Sequence, residues 1–346
     1  MICAVRTSRV VITLVSAAAG LAALPVSAQQ LVKPMAGPRA TALQITSLYV
    51  SPDTGSERLD KVQIGRELVV AEKSGPWLRV FANTDVQEAA DNDPDAPMVG
   101  SDSLPPPLTG WVQAKGIVEE TTPNGDQIIM GTAANEEALA ADPRGPVNAA
   151  QAARLLYLRV EEMFPNSPLA GEAAWRSADI QWQISKADNS TLPSARERQA
   201  YLRPQINEEP LKKVMKRYPG TRWAGLAAFD LIDNKLCGDW EGTAQCPEKE
   251  ADIYLKYADQ FPDSPRTPRA LYEAVYRLAA LTNIYDAAGK HDQSEKAHRG
   301  ASDVAARLRT KFPDSDYTWR AGALVYKLDE GIPVYGIDLQ SVQATP

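Results

Sequence analysis

Short runs of apolar and β-branched residues, separated by turn residues, occupy the chain between 47 and 118. In the clearest run, Leu78 and Val80 share one face of an extended strand, and Trp77 and Arg79 share the other. The pattern predicts a small all-β domain. Its predicted strands lie at 48–50, 67–71, 77–81 and 110–112.

Further along the chain the apolar spacing changes from two residues to three and four. Leu156, Val160 and Met163 fall on one stripe of a helix. The stretch between the two patterns, 121–146, is rich in Thr, Asn, Gly, Asp and Ala. This composition predicts a linker with a short strand at 127–130. The chain is therefore expected to be a multidomain β + α protein.

An internal repeat runs through the helical part. Four segments share an aromatic residue followed by proline, with Ser or Thr three residues after the aromatic, Ala nine after it and an apolar residue four before it. The turn residues are Phe164, Pro165 and Ser167; Tyr218, Pro219 and Thr221; Phe261, Pro262 and Ser264; and Phe312, Pro313 and Ser315. The alanines are Ala173, Ala227, Ala270 and Ala321, and the preceding apolar residues are Val160, Val214, Tyr257 and Leu308. Four positions that coincide in four segments indicate one repeated structural unit.

The repeat has a direct physical interpretation. Proline cannot continue the preceding helix, and the Ser or Thr hydroxyl then caps the next one. Pro168 and Pro265 are expected at the first helical position, where proline is favoured. Because a tight turn makes consecutive helices antiparallel and the small alanine lets them approach, we expect antiparallel helix pairs that stack into a solenoid.

The β segments resemble bacterial SH3-like domains. The resemblance rests on a Leu-Tyr-Val strand at 48–50, a Gly-Pro-Trp start of the strand at 77–81, and the closing Gly-Trp-Val strand at 110–112. It implies a small β-barrel at 44–120. The chain departs from the family in an acidic, Pro-rich insertion at 82–108.

This resemblance also implies a role for the aromatic residues of the β domain. SH3-like domains of this kind bind cell-wall peptides or protein segments, so Tyr49, Trp77 and Trp111 are candidate contacts. The alternative is that each of these rings belongs to the core, since an aromatic face serves binding only where it is exposed.

The helical repeat resembles the tetratricopeptide class, in particular the envelope variety with an aromatic-Pro-x-Ser turn. Its prolines lie 54, 43 and 51 residues apart, further than the usual spacing of about 34, so insertions separate the helix pairs. The resemblance covers 147–330 and implies a groove that holds a protein or peptide partner. Tyr157, Tyr254 and Tyr257 are candidate groove contacts, with a core position again the alternative.

The N-terminal segment has the three parts of a secretory signal. Arg6 and Arg9 precede an apolar run, and small residues lead to a cleavage site near Ala28. Cys3 precedes the apolar run, so it is not the lipid-bearing cysteine of a lipoprotein. The expected organisation is a signal peptide at 1–28, linkers at 29–43 and 121–146, the β domain at 44–120, the helical domain at 147–330 and a tail at 331–346.

Two cysteines remain after the signal, Cys237 and Cys246. In the oxidising compartment that a signal peptide implies, a structural disulfide is the expected outcome, and two free thiols are the alternative. Their spacing is too wide for a redox motif, and no histidine lies near enough in sequence to suggest a metal site.

Charge and composition argue against several other classes of protein. The net charge of -7 disfavours nucleic-acid binding, and no apolar run after the signal is long enough to span a membrane. The two histidines, His291 and His298, stand two helical turns apart, too far to chelate one metal. Neither a phosphate-binding loop nor a nucleophile motif appears, so we expect no cofactor, no metal and no enzymatic activity.

These observations together favour an exported binding or scaffold protein of the bacterial envelope, periplasmic or secreted. The repeat array would dock a protein or peptide, and the SH3-like module would bind a peptide or a cell-wall element such as peptidoglycan. A cell-wall enzyme with an unrecognised carboxylate site and a self-associating structural protein are the two alternatives.

Overall fold

A computed structural model describes residues 37–85 and 108–335. The predicted signal peptide at 1–28, most of the acidic insertion and most of the predicted C-terminal tail lie outside these residues. The first part of the described chain is a seven-stranded antiparallel sheet, with strands in the order β3-β2-β6-β5-β4-β1-β7. The strands are β1 (Arg39–Ala42), β2 (Thr46–Tyr49), β3 (Arg58–Val62), β4 (Glu67–Ser74), β5 (Trp77–Ala82), β6 (Leu108–Gln113) and β7 (Ile117–Glu119).

The four strands predicted from alternation are β2, β4, β5 and β6. In β5, Leu78 and Val80 are buried in the sheet core and Arg79 is exposed, as the alternation requires. The hairpin from β4 to β5 closes through Gly75, which has a φ of 54°, followed by Pro76 with its restricted φ. This turn fixes the register that places the apolar face of β5 inward.

The linker predicted at 29–43 contains a strand, because β1 pairs with β4 and β7. Its sequence, Arg-Ala-Thr-Ala, has no large apolar residue, so its β character is set by its neighbours in the sheet. Ala40 and Ala42 are nevertheless fully buried. The β unit therefore begins earlier than the predicted boundary at residue 44.

Nine α-helices follow in the described part of the chain. They are α1 (Gly125–Ala141), α2 (Ala149–Met163), α3 (Ala170–Ser190), α4 (Glu209–Arg217), α5 (Arg222–Asp230), α6 (Gln245–Gln260), α7 (Thr267–Ala287), α8 (His291–Lys311) and α9 (Asp316–Asp329). Three short 3-10 helices occur in the connections, at Pro193–Arg196, Ala200–Leu202 and Asp233–Lys235.

Helix α1 occupies the segment predicted as a linker with a short strand at 127–130, and that prediction was wrong. Gly125, Ile129 and Ala133 are buried at a spacing of four, and the remaining positions are mostly small or polar. Because the buried stripe is only one residue wide, the segment has little apolar periodicity. Packing of the helix against α2 supplies the order that composition does not indicate.

The four repeated turns each join two helices, giving the pairs α2/α3, α4/α5, α6/α7 and α8/α9, which we number 1 to 4. In every pair the backbone N–H of the aromatic residue donates to the carbonyl four residues before it, and the N–H of the Ser or Thr donates to the aromatic carbonyl. The repeated alanines are all fully buried: Ala173, Ala227, Ala270 and Ala321. The repeated apolar residues are buried as well: Val160, Val214, Tyr257 and Leu308. The predicted repeat of helix, turn and helix is confirmed.

The predicted caps are present in two pairs and modified in two. Thr221 and Ser315 are N-caps of α5 and α9, and their hydroxyls accept hydrogen bonds from the backbone N–H groups of the following helix. The hydroxyls of Ser167 and Ser264 accept from the backbone two residues ahead, inside the turn. In those two turns the proline that follows, expected at the first helical position, lies in the turn before the helix.

The first two junctions between successive helix pairs are made through a glycine, whereas Pro268 stands at the equivalent position of the third. Gly171 of α3 and Gly225 of α5 each stand seven residues after the aromatic of their own turn. A Cβ on Gly171 would lie 2.9 Å from Trp223 Cδ1 in pair 2, and a Cβ on Gly225 would lie 3.1 Å from Ser264 Cβ in pair 3. The glycines therefore let the turn of one pair lie directly on the second helix of the pair before it.

Ring contacts repeat at the same junctions. The residue five after the aromatic of one pair lies against the residue eleven after the aromatic of the previous pair. Trp223 stacks on Trp175 with centroids 5.7 Å apart, and Tyr317 packs on Tyr272 at 5.6 Å. At the middle junction the Arg266 guanidinium lies 5.8 Å from the centre of the Phe229 ring. The three junctions thus use equivalent positions.

The β unit packs on the first helices. Gly65 has a φ of 78°, and a Cβ there would lie 2.6 Å from Leu155 Cβ on α2. Val118 of β7 belongs to one apolar cluster with Ile129 of α1 and Leu156 of α2. This contact forms a cleft between the sheet and the first two helix pairs.

Candidate binding groove

The aromatic candidates of the β unit are mostly part of the sheet. Tyr49 and Trp77 are buried and contact each other edge to face, with centroids 5.5 Å apart. Trp111 is partly exposed, on β6 opposite Arg79 of β5. Among these three rings, Trp111 alone offers a face of any size to a partner.

The three tyrosines proposed as groove contacts lie in the helical core. Tyr157 is fully buried and donates its hydroxyl to Glu137 of α1. Tyr254 and Tyr257 are also buried, and the Tyr257 hydroxyl donates to the Gly225 carbonyl and contacts the Ser264 hydroxyl. These positions agree with the alternative interpretation, in which the three tyrosines belong to the core.

Cys237 and Cys246 lie at disulfide distance, with Cα atoms 6.1 Å apart. The loop they enclose is organised by the buried Glu250 carboxylate. Its Oε1 accepts hydrogen bonds from the Cys237 backbone N–H at 2.8 Å and from Trp240 Nε1 at 3.3 Å, while its Oε2 pairs with Arg277 at 3.0 Å. This arrangement holds the connection between pairs 2 and 3 in place, which is a structural role.

A cleft of about 800 Å³ lies where the β unit meets α2, α3 and α4. We call it the basic groove. Its apolar floor includes Leu155, Ala178 and Val214, and charged side chains surround that floor. The cations are Arg66, Arg154, Arg159, Lys212, Lys213 and Lys216, and the carboxylates are Asp85, Glu161, Glu162 and Glu209.

The carboxylates on the sheet side of the groove are ion-paired. Asp85 lies 3.3 Å from Arg66 and 3.4 Å from Arg159. Glu162 lies 2.7 Å from Arg159 and 3.0 Å from Arg39. None of these carboxylates is left to repel an anion that enters the groove.

The carboxylates on the helical side are paired as well. Glu161 lies 2.6 Å from Arg217 and 3.8 Å from Lys213, and Glu209 lies 3.5 Å from Lys212. All four groove carboxylates therefore have cationic partners within the chain.

Two groove cations differ in this respect. Neither Arg154 nor Lys216 forms an ion pair with a carboxylate among the described residues. Arg154 is half-buried, and its Nε donates to Gln151 Oε1 at 3.1 Å. Burial, followed by the nearby Arg159 and Arg66 guanidinium groups, lowers the pKa of Arg154. A cation in such surroundings gains from an added anion.

The wall that carries Arg154 is held in place by a buried ionic network. Arg159 is only 1% exposed and lies between Asp85 and Glu162, with Glu67 3.8 Å away. Glu67 also accepts from Thr84 Oγ1 at 2.6 Å and pairs with Arg39. We call this set the sheet–helix network, because it joins β4 and the end of β5 to α2.

The basic groove was not predicted from the sequence. The signal present in the sequence is the spacing of Lys212, Lys213 and Lys216, which places three cations on one side of a short helix. Nothing local indicates that this side faces Arg154.

A second polar cluster lies where α3, α5 and the turn before α7 meet. Asp230, at the end of α5, is buried and accepts a hydrogen bond from Trp175 Nε1 at 3.2 Å. Burial, together with the Asp179 carboxylate, raises the pKa of Asp230 to about 7. Burial also raises the pKa of Asp179. Arg266 lies close enough to oppose both shifts.

No protein-family model matches the chain, and a search of curated proteins finds no match either. None of the helices in the ranges 37–85 and 108–335 combines the length and apolar character needed to cross a bilayer. The same ranges contain no group of three or more His, Cys, Asp or Glu side chains placed to hold a metal ion.

Proposed function

We propose that this chain is an exported, non-enzymatic binding protein of the bacterial envelope, and that the basic groove holds a carboxylate-bearing peptide segment of a protein partner. One observation carries the proposal: every groove carboxylate is ion-paired, whereas Arg154 and Lys216 have no carboxylate partner among the described residues. The cysteine pair at disulfide distance supports export.

The size and composition of the groove suit a peptide. Its volume of about 800 Å³ falls within the usual range of ligand sites, roughly 300 to 1,000 Å³. Leu155 and Val214 offer an apolar floor, and Asn207 and Gln181 offer amide groups that can bond to a peptide backbone. Carboxylates of the peptide would then meet Arg154 and Lys216.

We further propose that the β unit is an SH3-like barrel and that the helix pairs form a tetratricopeptide-like solenoid. The antiparallel order of the strands supports the first assignment, and the equivalent contacts at successive helix junctions support the second. On this proposal the groove lies between the two modules, and the β unit contributes Arg66 and Asp85 to one wall.

Fluorescence anisotropy with two labelled peptides tests the groove. One peptide has glutamate at alternate positions, and its matched control has glutamine there. We expect the protein to bind the glutamate peptide more tightly, with an affinity that falls as salt is added. Arg154→Glu and Lys216→Glu should each weaken binding about tenfold or more, since each replaces an attraction by a repulsion.

Arg144→Glu is the matched control, because the Arg144 side chain is 93% exposed and lies outside the groove. Lys216 is exposed, so its variant keeps the test valid even if Arg154→Glu unfolds the protein. Equal affinity for the two peptides, or equal losses for Lys216→Glu and Arg144→Glu, would refute the proposal. Sedimentation of the protein with purified peptidoglycan, abolished by Lys216→Glu, would place the carboxylates on the cell wall and refute a protein partner.

A cell-wall enzyme is the second candidate, and the Asp179 and Asp230 pair favours it. Two neighbouring carboxyl groups with raised pKa values are a feature of acid-base sites. The test is release of soluble fragments from purified peptidoglycan by the wild-type protein and by Asp179→Asn. Activity that the substitution abolishes, while the circular dichroism spectrum is kept, would support this candidate against the binding protein.

A further inference from the structure

The acidic insertion leaves the β unit at the wall of the basic groove. Asp85, the last described residue before residues 86–107, lines the groove and is buried. Its carboxylate lies 3.3 Å from Arg66 and 3.4 Å from Arg159. The described chain resumes at Leu108, which pairs with Ala82, the last residue of β5. Both ends of residues 86–107 are therefore fixed within a few residues of one groove wall.

Residues 86–107 are long enough to enter the groove. An extended chain rises about 3.3 Å per residue, so a segment of this length fixed at both ends reaches about 35 Å from its anchors. Such a chain occupies about 5 Å by 10 Å in cross-section, and a groove of about 800 Å³ therefore holds about 16 Å of it. About five residues of the insertion fill the groove.

The charge of the insertion is complementary to that of the groove. Residues 86–107 contain no Lys, Arg or His, and their carboxylates are Glu88, Asp91, Asp93, Asp95 and Asp102. Asp91, Asp93 and Asp95 stand at alternate positions, so in an extended chain they project to one side, about 7 Å apart. This run of five residues has the length that the groove accommodates.

Two cations of the groove have no carboxylate partner among residues 37–85 and 108–335. They are Arg154 and Lys216. Burial, and then the nearby Arg159 and Arg66 guanidinium groups, lower the pKa of Arg154. A carboxylate beside Arg154 offsets this repulsion. The insertion brings several carboxylates to the same wall of the groove.

The other segments outside the described residues suit the groove less well. Residues 29–36 contain Lys33 and no carboxylate, and residues 336–346 contain one acidic side chain, Asp338. The latter segment follows Tyr335, whose ring packs on Trp240 with centroids 5.3 Å apart. Neither of these rings lines the groove. Charge and point of attachment therefore both favour the insertion as the occupant.

Attachment to the groove wall strengthens a weak contact. A tethered segment has an effective concentration in the millimolar range. With an intrinsic dissociation constant of about 0.1 mM, the insertion would fill the groove about nine-tenths of the time and weaken a competing peptide about tenfold. A modest charge complementarity is thus enough to affect binding.

We propose that residues 86–107 are an intramolecular ligand of the basic groove, with Asp91, Asp93 and Asp95 beside Arg154 and Lys216. A carboxylate-bearing partner peptide binds by displacing them, a consequence that rests on the proposed function. The insertion thereby sets the affinity that a partner needs in order to enter the groove.

Zero-length crosslinking tests the contact without any partner. A carbodiimide joins a lysine amine to a carboxylate that touches it, and mass spectrometry of the digested full protein identifies the joined residues. We expect Lys216, or the neighbouring Lys212 and Lys213, to be joined to residues 88–102. A mixture of normal and isotope-labelled protein should show that these links form within one molecule.

The internal controls are Lys61 on β3 and Lys256 on α6, which are exposed and lie outside the groove. They should be joined to the insertion rarely. The proposal would be overturned by the absence of a link to any groove lysine, by links that form only between molecules, or by links to Lys61 and Lys256 that are as frequent as those to Lys216.

Neutralising the insertion tests its effect on binding. The neutral variant carries Glu88→Gln, Asp91→Asn, Asp93→Asn, Asp95→Asn and Asp102→Asn. It should bind the labelled glutamate peptide about tenfold more tightly than wild type at an ionic strength of about 0.1 M, because the competing charges are gone.

The matched control has the same net charge as the neutral variant but loses exposed carboxylates outside the groove. It carries Asp263→Asn, Asp292→Asn, Asp303→Asn, Asp314→Asn and Glu330→Gln, and should bind close to wild type. No gain in the neutral variant, or an equal gain in both variants, would overturn the proposal. If neither wild type nor the neutral variant bound the peptide, the proposed function would fail, and the crosslinks alone would decide whether the insertion occupies the groove.

Discussion

The joint between the sheet and the helices differs from the junctions between the helix pairs. The joint is held by buried charges: Arg159, Glu67 and Asp85 are each less than a tenth exposed. At the junction between pairs 1 and 2, a ring rests on a glycine, because Trp223 lies on Gly171 and stacks on Trp175. A charged joint needs all its partners to balance the cost of desolvation, whereas an apolar junction needs only close approach.

This difference affects what each contact can do. The buried charges of the sheet–helix network fix one orientation of α2 on the sheet, and so they hold the groove wall that carries Arg154. The contacts at the junctions repeat at equivalent positions along the chain, with two rings at the first and third junctions and an arginine on a ring at the middle one. The buried charges therefore define one contact between the sheet and α2, whereas one type of contact serves at several junctions between helix pairs.

The largest effect is expected from breaking the charged joint. Arg159→Leu would leave Glu67 and Asp85 without their buried cation and should lower the free energy of unfolding by about 3–5 kcal/mol. Arg154→Leu is the matched control on the same helix. It removes a cation that has no carboxylate partner, so its cost should be much smaller. Urea denaturation of both variants measures the difference.

Equal losses for the two variants would contradict this account of the joint. A triple variant sharpens the test: Arg159→Leu combined with Glu67→Gln and Asp85→Asn removes the uncompensated charges along with the cation. It should regain part of the stability that Arg159→Leu loses, since neutral amides can be buried at lower cost than charges. No recovery would mean that Arg159 acts mainly through packing.

The helical repeat could be predicted because its constraints are local. Pro165 must end α2, and Ala173 must be small where two backbones approach, so both requirements appear as fixed residue types at fixed spacing. The glycines at two of the junctions, Gly171 and Gly225, also stand at a fixed spacing, seven residues after an aromatic. Their role could not be predicted, because it depends on the next helix pair, which lies on them.

The groove and the network could not be predicted in the same way. Arg159 and Asp85 are 74 residues apart in the sequence, and nothing in either segment indicates the other. Helix α1 was missed because its buried stripe is narrow. The tyrosines proposed as contacts were ranked by residue type, and residue type does not distinguish a buried ring from an exposed one.

The second effect concerns Asp230, a buried carboxyl group in the polar cluster where α3, α5 and the turn before α7 meet. Its raised pKa, about 7, means that the folded protein retains a proton that the unfolded chain has already lost, so its contribution to stability falls as pH rises from about 4 to about 7. Asp230→Asn should remove this dependence. The stability of wild type relative to the variant should fall by about 2–4 kcal/mol across that window.

The groups that face Asp230 set the control for this experiment. Asp179 and Asp233 add negative charge beside it, and Arg266 adds positive charge. Asp252 gives a surface comparison, since it is neither buried nor close to this cluster, and Asp252→Asn should leave the pH profile unchanged. Denaturation in urea from pH 4 to pH 8 measures both variants. If the stability of wild type followed the same pH dependence as that of Asp230→Asn, the pKa of Asp230 would not be raised in the folded protein.

The smallest effect is expected at the apolar junction itself. Gly171→Ala places a Cβ 2.9 Å from Trp223 Cδ1, and the indole cannot move freely because it stacks on Trp175. Overpacking should cost about 1–3 kcal/mol, against a gain of about 1 kcal/mol in helix propensity. Gly131→Ala in α1 is the control, since its Cβ meets nothing within 4 Å and its propensity gain should appear alone. Thermal and urea unfolding should therefore show Gly131→Ala more stable than wild type and Gly171→Ala less stable. If both substitutions stabilised the protein equally, the junction at Gly171 would have room for a Cβ. Close packing would then not be what distinguishes this junction from the charged joint.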